Sequence, residues 1–105
     1  MKKLLFICSR NQWRSPTAEK IYKEKGYDTR SAGTSPKARK QVSLKDLEWA
    51  DVVFVMEKKH KNILQAEFCR RMEPKPIHVL NIPDEYQYMS PELIVFLGDV
   101  VDEHL

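Results

Sequence analysis

A chain of 105 residues, 42% hydrophobic and 31% charged, has the balance of a single globular domain over residues 1–105, with no room for a second core. Its formal charge of +3 is too mild for the basic face of a nucleic-acid binder, and no stretch is long and apolar enough to span a bilayer, so neither nucleic acid nor membrane is expected as a partner. Cys8 and Cys69 are the only cysteines; they form no CxxC pair, which argues against a disulfide framework or a zinc knuckle and suits a reducing cytoplasm.

The first apolar run, Leu4 to Cys8, is of strand length and too short for a signal segment, since Ser9, Arg10 and Asn11 interrupt it. Pro16 to Lys25 follows with Ala18, Ile21 and Tyr22 on one face. It predicts a helix with Ser15 as N-cap, Pro16 at the first position and Gly26 as terminator. Tyr27 to Ala32 is a weaker strand pattern. Ser43 with Asp46 is a capping box opening a short helix through Leu47. A β-branched run, Val52 to Met56, gives the next strand, and a helix is expected from Lys58 to Met72, closed off by Pro74 and Pro76. Ile77 to Ile82 reads as the fourth strand. The last helix opens at Ser90-Pro91 and repeats apolar residues at Leu93, Leu97, Val100 and Val101, with Gly98 weakening it. Strands alternating with helices argue for an α/β fold with a parallel sheet.

Chemistry concentrates between the first strand and the first helix, in Cys8-Ser9-Arg10-Asn11-Gln12-Trp13-Arg14-Ser15. A loop in that position aims backbone N–H groups and the positive end of a helix dipole at one point, which suits phosphate or another oxyanion. The same field, with the Ser15 hydroxyl and the Arg14 charge, favours Cys8 as a thiolate, the reactive form. Arg14 offers a planar fork that grips two phosphate oxygens, as lysine cannot. Attack by Cys8 then runs through a phosphocysteine that water hydrolyses, with no cofactor. His60, His78 and His104 share no ligand-like spacing, so no metal is expected.

The stretch resembles the C-x5-R-S signature of the low-molecular-weight protein tyrosine phosphatases. Flanking segments agree in order: Ser15-Pro16-Thr17-Ala18-Glu19 with R-S-P-x-A-E, Ser31-Ala32-Gly33-Thr34 with S-A-G-T, and Asp51 to Met56 with D-x-I-x-x-M. The resemblance implies a three-layer α/β sandwich whose four-stranded parallel sheet has the order 2-1-3-4, with helices on both faces and the site at the carboxyl end of the first strand. It implies a phosphorylated protein or a small aryl phosphate as substrate. It also implies a general acid from the loop Ile82 to Tyr88. Asp84 is the expected acid, and Glu85, standing where the family has proline, is the alternative. Tyr86 and Tyr88 either flank the substrate or pack on the last helix. Asn11 matches the family's loop asparagine, which ties the loop backbone into shape.

Departures from the pattern bear on function. Arg10 replaces a glycine, so that either the loop backbone shifts or Arg10 is strained, and Trp13 replaces a second cysteine, which removes the protective disulfide within the loop. The chain passes from Ser35-Pro36-Lys37 almost straight into Ala38-Arg39-Lys40-Gln41-Val42-Ser43, without the segment that walls the family's pocket. Lys37, Arg39 and Lys40 read as a solvated loop with a minor role in recruiting acidic substrates. The competing readings are a phosphate-binding module without turnover on the same fold and, last, an arsenate reductase, for which Phe68-Cys69-Arg70-Arg71 supplies no relay pair.

Overall fold

Successive residues of the buried strands point to opposite faces, and each face has its own core. In the computed structural model, which describes residues 2–68 and 74–105, β1 (Lys3–Cys8), β2 (Asp28–Gly33), β3 (Val52–Val55) and β4 (Ile77–Val79) form one parallel sheet in the order β2-β1-β3-β4. Both the α/β class and the strand order agree with expectation. Leu4, Phe6 and Cys8 of β1, with Val52 and Phe54 of β3, pack with Ala18 and Tyr22 of α1 (Arg14–Glu24) and with Leu93, Leu97 and Val101 of α4 (Pro91–Val101). Leu5, Ile7, Val53 and Val55 face the other way, onto Leu47 of α2 (Leu44–Trp49) and Leu64 of α3 (Lys58–Phe68). Helices therefore cover both faces. Phe6 stacks between Tyr22 and Phe54 at centroid distances of 5.6 and 5.3 Å, and burying each such ring contributes roughly 2 kcal/mol or more.

Element boundaries shift for local reasons. The first helix begins at Arg14, two residues before Pro16, with Trp13 rather than Ser15 as N-cap; the Thr17 N–H reaches the Trp13 carbonyl at 3.1 Å, and the Ser15 hydroxyl is turned elsewhere. Its end follows the sequence: Gly26 at φ 100° allows the Gly26 and Tyr27 N–H groups to reach the Lys23 and Tyr22 carbonyls, a Schellman closure. Because that closure uses Tyr27, β2 starts at Asp28 instead. The Ser43–Asp46 capping box forms as predicted. β4 stops at Val79, short of Ile82, because Asn81 adopts φ 57° and bends the chain out of the extended path. The part of α3 expected beyond Phe68, including Cys69, lies outside the described residues. Among the described residues no helix is long and apolar enough to cross a membrane.

Candidate active site

β1 runs into the loop that carries Cys8, and a second segment gives that loop its shape. Thr34 N–H donates to the Cys8 carbonyl (3.0 Å), Ser35 N–H to that of Ser9 (2.9 Å) and Arg39 N–H to that of Arg10 (3.0 Å), while Arg39 Nε donates to that of Asn11 (3.0 Å). Four consecutive carbonyls are thus held on one side, which leaves the loop's N–H groups to converge on the other. Residues 34–39 are the buttress of the loop, and Arg39 is part of it rather than merely solvated. The left-handed turn the loop requires falls on Asn11, at φ 56°, a residue that tolerates it. Arg10 does not carry it, so the missing glycine costs nothing there. Gly33 supplies the close approach: a Cβ there would sit 2.5 Å from the Ser9 carbonyl oxygen and 2.7 Å from Ala38 Cβ.

Cys8 is 3% exposed and ends β1 with its sulfur inside the loop. Asn11 N–H donates to Sγ at 3.2 Å, and Ser15 Oγ lies 2.9 Å away. The direction of that second bond follows from the network behind it. Asn11 Nδ2 donates to both Ser15 Oγ and Ser31 Oγ, each at 2.9 Å, and Ser31 Oγ donates to Glu19 Oε1 at 2.6 Å. Ser15 thereby accepts from Asn11 and has its own proton to give, with sulfur nearer than the Ala32 carbonyl at 3.4 Å. The sulfur therefore receives two hydrogen bonds, from the Asn11 N–H and the Ser15 hydroxyl. Asn11 Oδ1 is buried without a hydrogen-bond partner among the described residues.

Arg14 is 2% exposed and fixed by its Nη1, which donates to Glu57 Oε1 (2.6 Å) and to the Ile82 carbonyl (2.8 Å). Its Nε–Nη2 edge is the one left to face an anion, and Nε lies 3.6 Å from Asp84 Oδ1. Burial works against the Glu57 carboxylate, but the hydrogen bond and charge of Arg14 outweigh it and hold the group below the ordinary carboxylate range. His60, wholly buried, is pushed down to about 4 by burial and then by the Arg14 charge, so its ring is neutral at pH 7. The Glu57 N–H donates to His60 Nδ1 (3.1 Å), which puts the ring proton on Nε2, and Nε2 donates to Ser9 Oγ (2.9 Å). The Ser9 hydroxyl proton is then free to donate in its turn.

Cys8, Ser9, Arg10, Gln12, Trp13, Arg14 and Asp84 together line a cup of about 290 Å³. Asn11 and Ser15 stand behind it as supports. Asp84, 60% exposed, borders the cup; Glu85 borders a separate hollow with Tyr86 and Gln87. Neither predicted tyrosine enters the cup: Tyr86 packs edge-on to Phe96 of α4, and Tyr88 lines a neighbouring groove. Sequence reasoning passed over Glu57 and His60 as parts of the site. The available signal was their position just after β3, which pairs directly with β1 and so ends at the same edge. Among the described residues no three His, Cys, Asp or Glu side chains are grouped to hold a metal ion, and His78 and His104 stack face to face at 3.8 Å.

No protein-family model and no curated protein matches the sequence. Solved structures do match in three dimensions. A low-molecular-weight protein tyrosine phosphatase from T. tengcongensis superposes with a TM-score of 0.72 at 23% identity, covering 100% of both chains. Vibrio vulnificus Wzb in complex with benzylphosphonate gives 0.71 at 22% identity over 97% of this chain and 92% of its own. A Drosophila arginine phosphatase gives 0.68 at 20% identity, over 99% and 97%. With the sheet order and the position of the Cys8 loop already in hand, these likenesses identify the architecture: the chain has the fold of the low-molecular-weight protein tyrosine phosphatases.

Proposed function

We propose that this protein is a cysteine-dependent phosphatase that hydrolyses phosphomonoesters, with phosphotyrosine or another aryl phosphate as its substrate class. The observation that carries the reading is the Cys8 sulfur, which accepts two hydrogen bonds in a cup that a buried arginine, Arg14, also lines. In the first step the thiolate attacks phosphorus, an S–P bond forms, the P–O bond to the leaving group breaks, and Asp84 gives that oxygen its proton. In the second, Asp84 takes a proton from water as the water oxygen bonds to phosphorus and the S–P bond breaks. Converging N–H groups, the Ser9 hydroxyl and the Arg14 fork stabilise the charge on the equatorial oxygens. A thiolate nucleophile without a neighbouring cysteine fits a reducing compartment such as the cytoplasm.

The test is hydrolysis of p-nitrophenyl phosphate near pH 6 by freshly reduced wild type, Cys8→Ser, Asp84→Asn and Glu85→Gln. Turnover abolished in Cys8→Ser and lowered ~100-fold in Asp84→Asn, with Glu85→Gln near wild type, is the expected pattern. Phosphate binding without any turnover in the wild type would replace the enzyme with a binding module. Because the fold is shared by tyrosine and arginine phosphatases, phosphoarginine is assayed alongside, and the aryl phosphate is expected to be the better substrate.

A further inference from the structure

Beside the cup lies a groove of about 530 Å³, and Gln12 borders both. Tyr88, 48% exposed, and Pro16 form its apolar wall. The loop bearing Tyr88 is pinned to α1, since the Met89 N–H donates to Thr17 Oγ1 at 2.9 Å with Met89 held at φ 60°. The charged lining is Lys20 and Lys23, one turn apart on α1, and Arg39. Among the described residues none of these three has a carboxylate within 4.0 Å, and neither has Arg10, which is exposed on the rim of the cup. Glu19 is the one acid lining the groove, and its carboxylate already accepts from Ser31 within the Cys8 network.

Like charges at i, i+3 on a helix repel. Against a net charge of +3 for the whole chain, three groove cations beside the one carboxylate of Glu19 form a local excess that an anionic partner would relieve, and Arg10 stands on the rim of the adjoining cup. An aromatic wall facing a basic wall suits an extended peptide more than a bare ion, for it offers area to backbone and side chains as well as charge. We propose that the groove receives an acidic segment of the phosphorylated protein substrate, next in sequence to the side chain that enters the cup. The proposal rests on the phosphatase reading, whose substrate class it narrows to phosphorylated sites flanked by Asp or Glu.

Two phosphotyrosine peptides that differ only in flanks of Glu or of Ala test it, with p-nitrophenyl phosphate as the small substrate. The enzymes are wild type and the pair Lys20→Glu, Lys23→Glu. Wild type is expected to prefer the acidic peptide in kcat/KM by about tenfold at low ionic strength, and the preference to shrink as salt shortens the Debye length to about 3 Å near 1 M. The double reversal should erase or invert it and leave p-nitrophenyl phosphate turnover within about twofold. Equal kcat/KM for the two peptides in wild type, or a preference that survives the reversal, overturns the groove. The same peptides titrated against Cys8→Ser read the groove by affinity alone. Should p-nitrophenyl phosphate not be hydrolysed, the phosphatase reading falls, and the affinity ratio of the two peptides still decides for or against the groove.

Discussion

His60 is neutral in the folded chain, and that one protonation state orients two hydrogen bonds, from the Glu57 N–H and to Ser9 Oγ. In the unfolded chain its pKa is near 6.5, whereas burial and Arg14 hold the folded value to about 4. The unfolded state therefore binds the proton first as pH falls. Stability contributed by neutral His60 is complete above pH 6.5, declines between 6.5 and 4, and is constant again below, with a total amplitude of about 3 kcal/mol. Urea unfolding across that window should show the decline in wild type. In His60→Gln, which keeps an amide donor but no titrating ring, the slope over this range should flatten by most of that amplitude; an unchanged slope would assign the acid limb to carboxylates instead. Nothing local in the sequence pointed to this residue or to Glu57. Cys8, Arg14 and Ser15 stand together within one short stretch of sequence, while Glu57 and His60 meet that stretch only through a strand pairing that places Met56 N–H on the Ile7 carbonyl at 2.9 Å.

Among the elements, the run after β2 differs most from its sequence reading. Read as a missing wall and a solvated basic stretch, residues 34–39 instead hold the carbonyls of the Cys8 loop. That role depends on the parallel register that sets Cys8 opposite Gly33, and no pattern within either segment encodes it. The strand order, by contrast, was available only through the resemblance, since alternation of apolar runs and helices gives a parallel sheet without ordering it. Gly33 is where the two segments cross. A methyl at 2.5 Å from backbone oxygen cannot be absorbed by a rotamer change, so Gly33→Ala must push the loop away from its buttress. We expect a loss of ~1–3 kcal/mol in urea unfolding and more than a tenfold fall in kcat toward p-nitrophenyl phosphate. Ala tolerated with full activity would mean the loop holds its shape without this contact.

The groups of the candidate site collect at the carboxyl edge of the sheet. Cys8, the Glu57–His60 turn and the Ile82 carbonyl come from the ends of β1, β3 and the bend after β4, and α1 begins at the same edge. Arg14 ties Glu57 to the Ile82 carbonyl through Nη1, and its Nε–Nη2 edge, with Nε 3.6 Å from Asp84, is the one placed to grip an anion. Oxyanion binding should accordingly stabilise the fold as a unit rather than tighten one loop. At a hundredfold excess of phosphate over its Kd, the gain is about 2.7 kcal/mol. For a chain of this size that corresponds to a rise in Tm of roughly 10 °C or more. Cys8→Ser should keep the shift, because phosphate binding does not need the nucleophile, whereas Arg14→Lys, which preserves charge but not the fork, should lose most of it. An equal shift in wild type and Arg14→Lys would place the bound anion elsewhere, with the basic groove as the next site to examine by adding Lys20→Glu and Lys23→Glu.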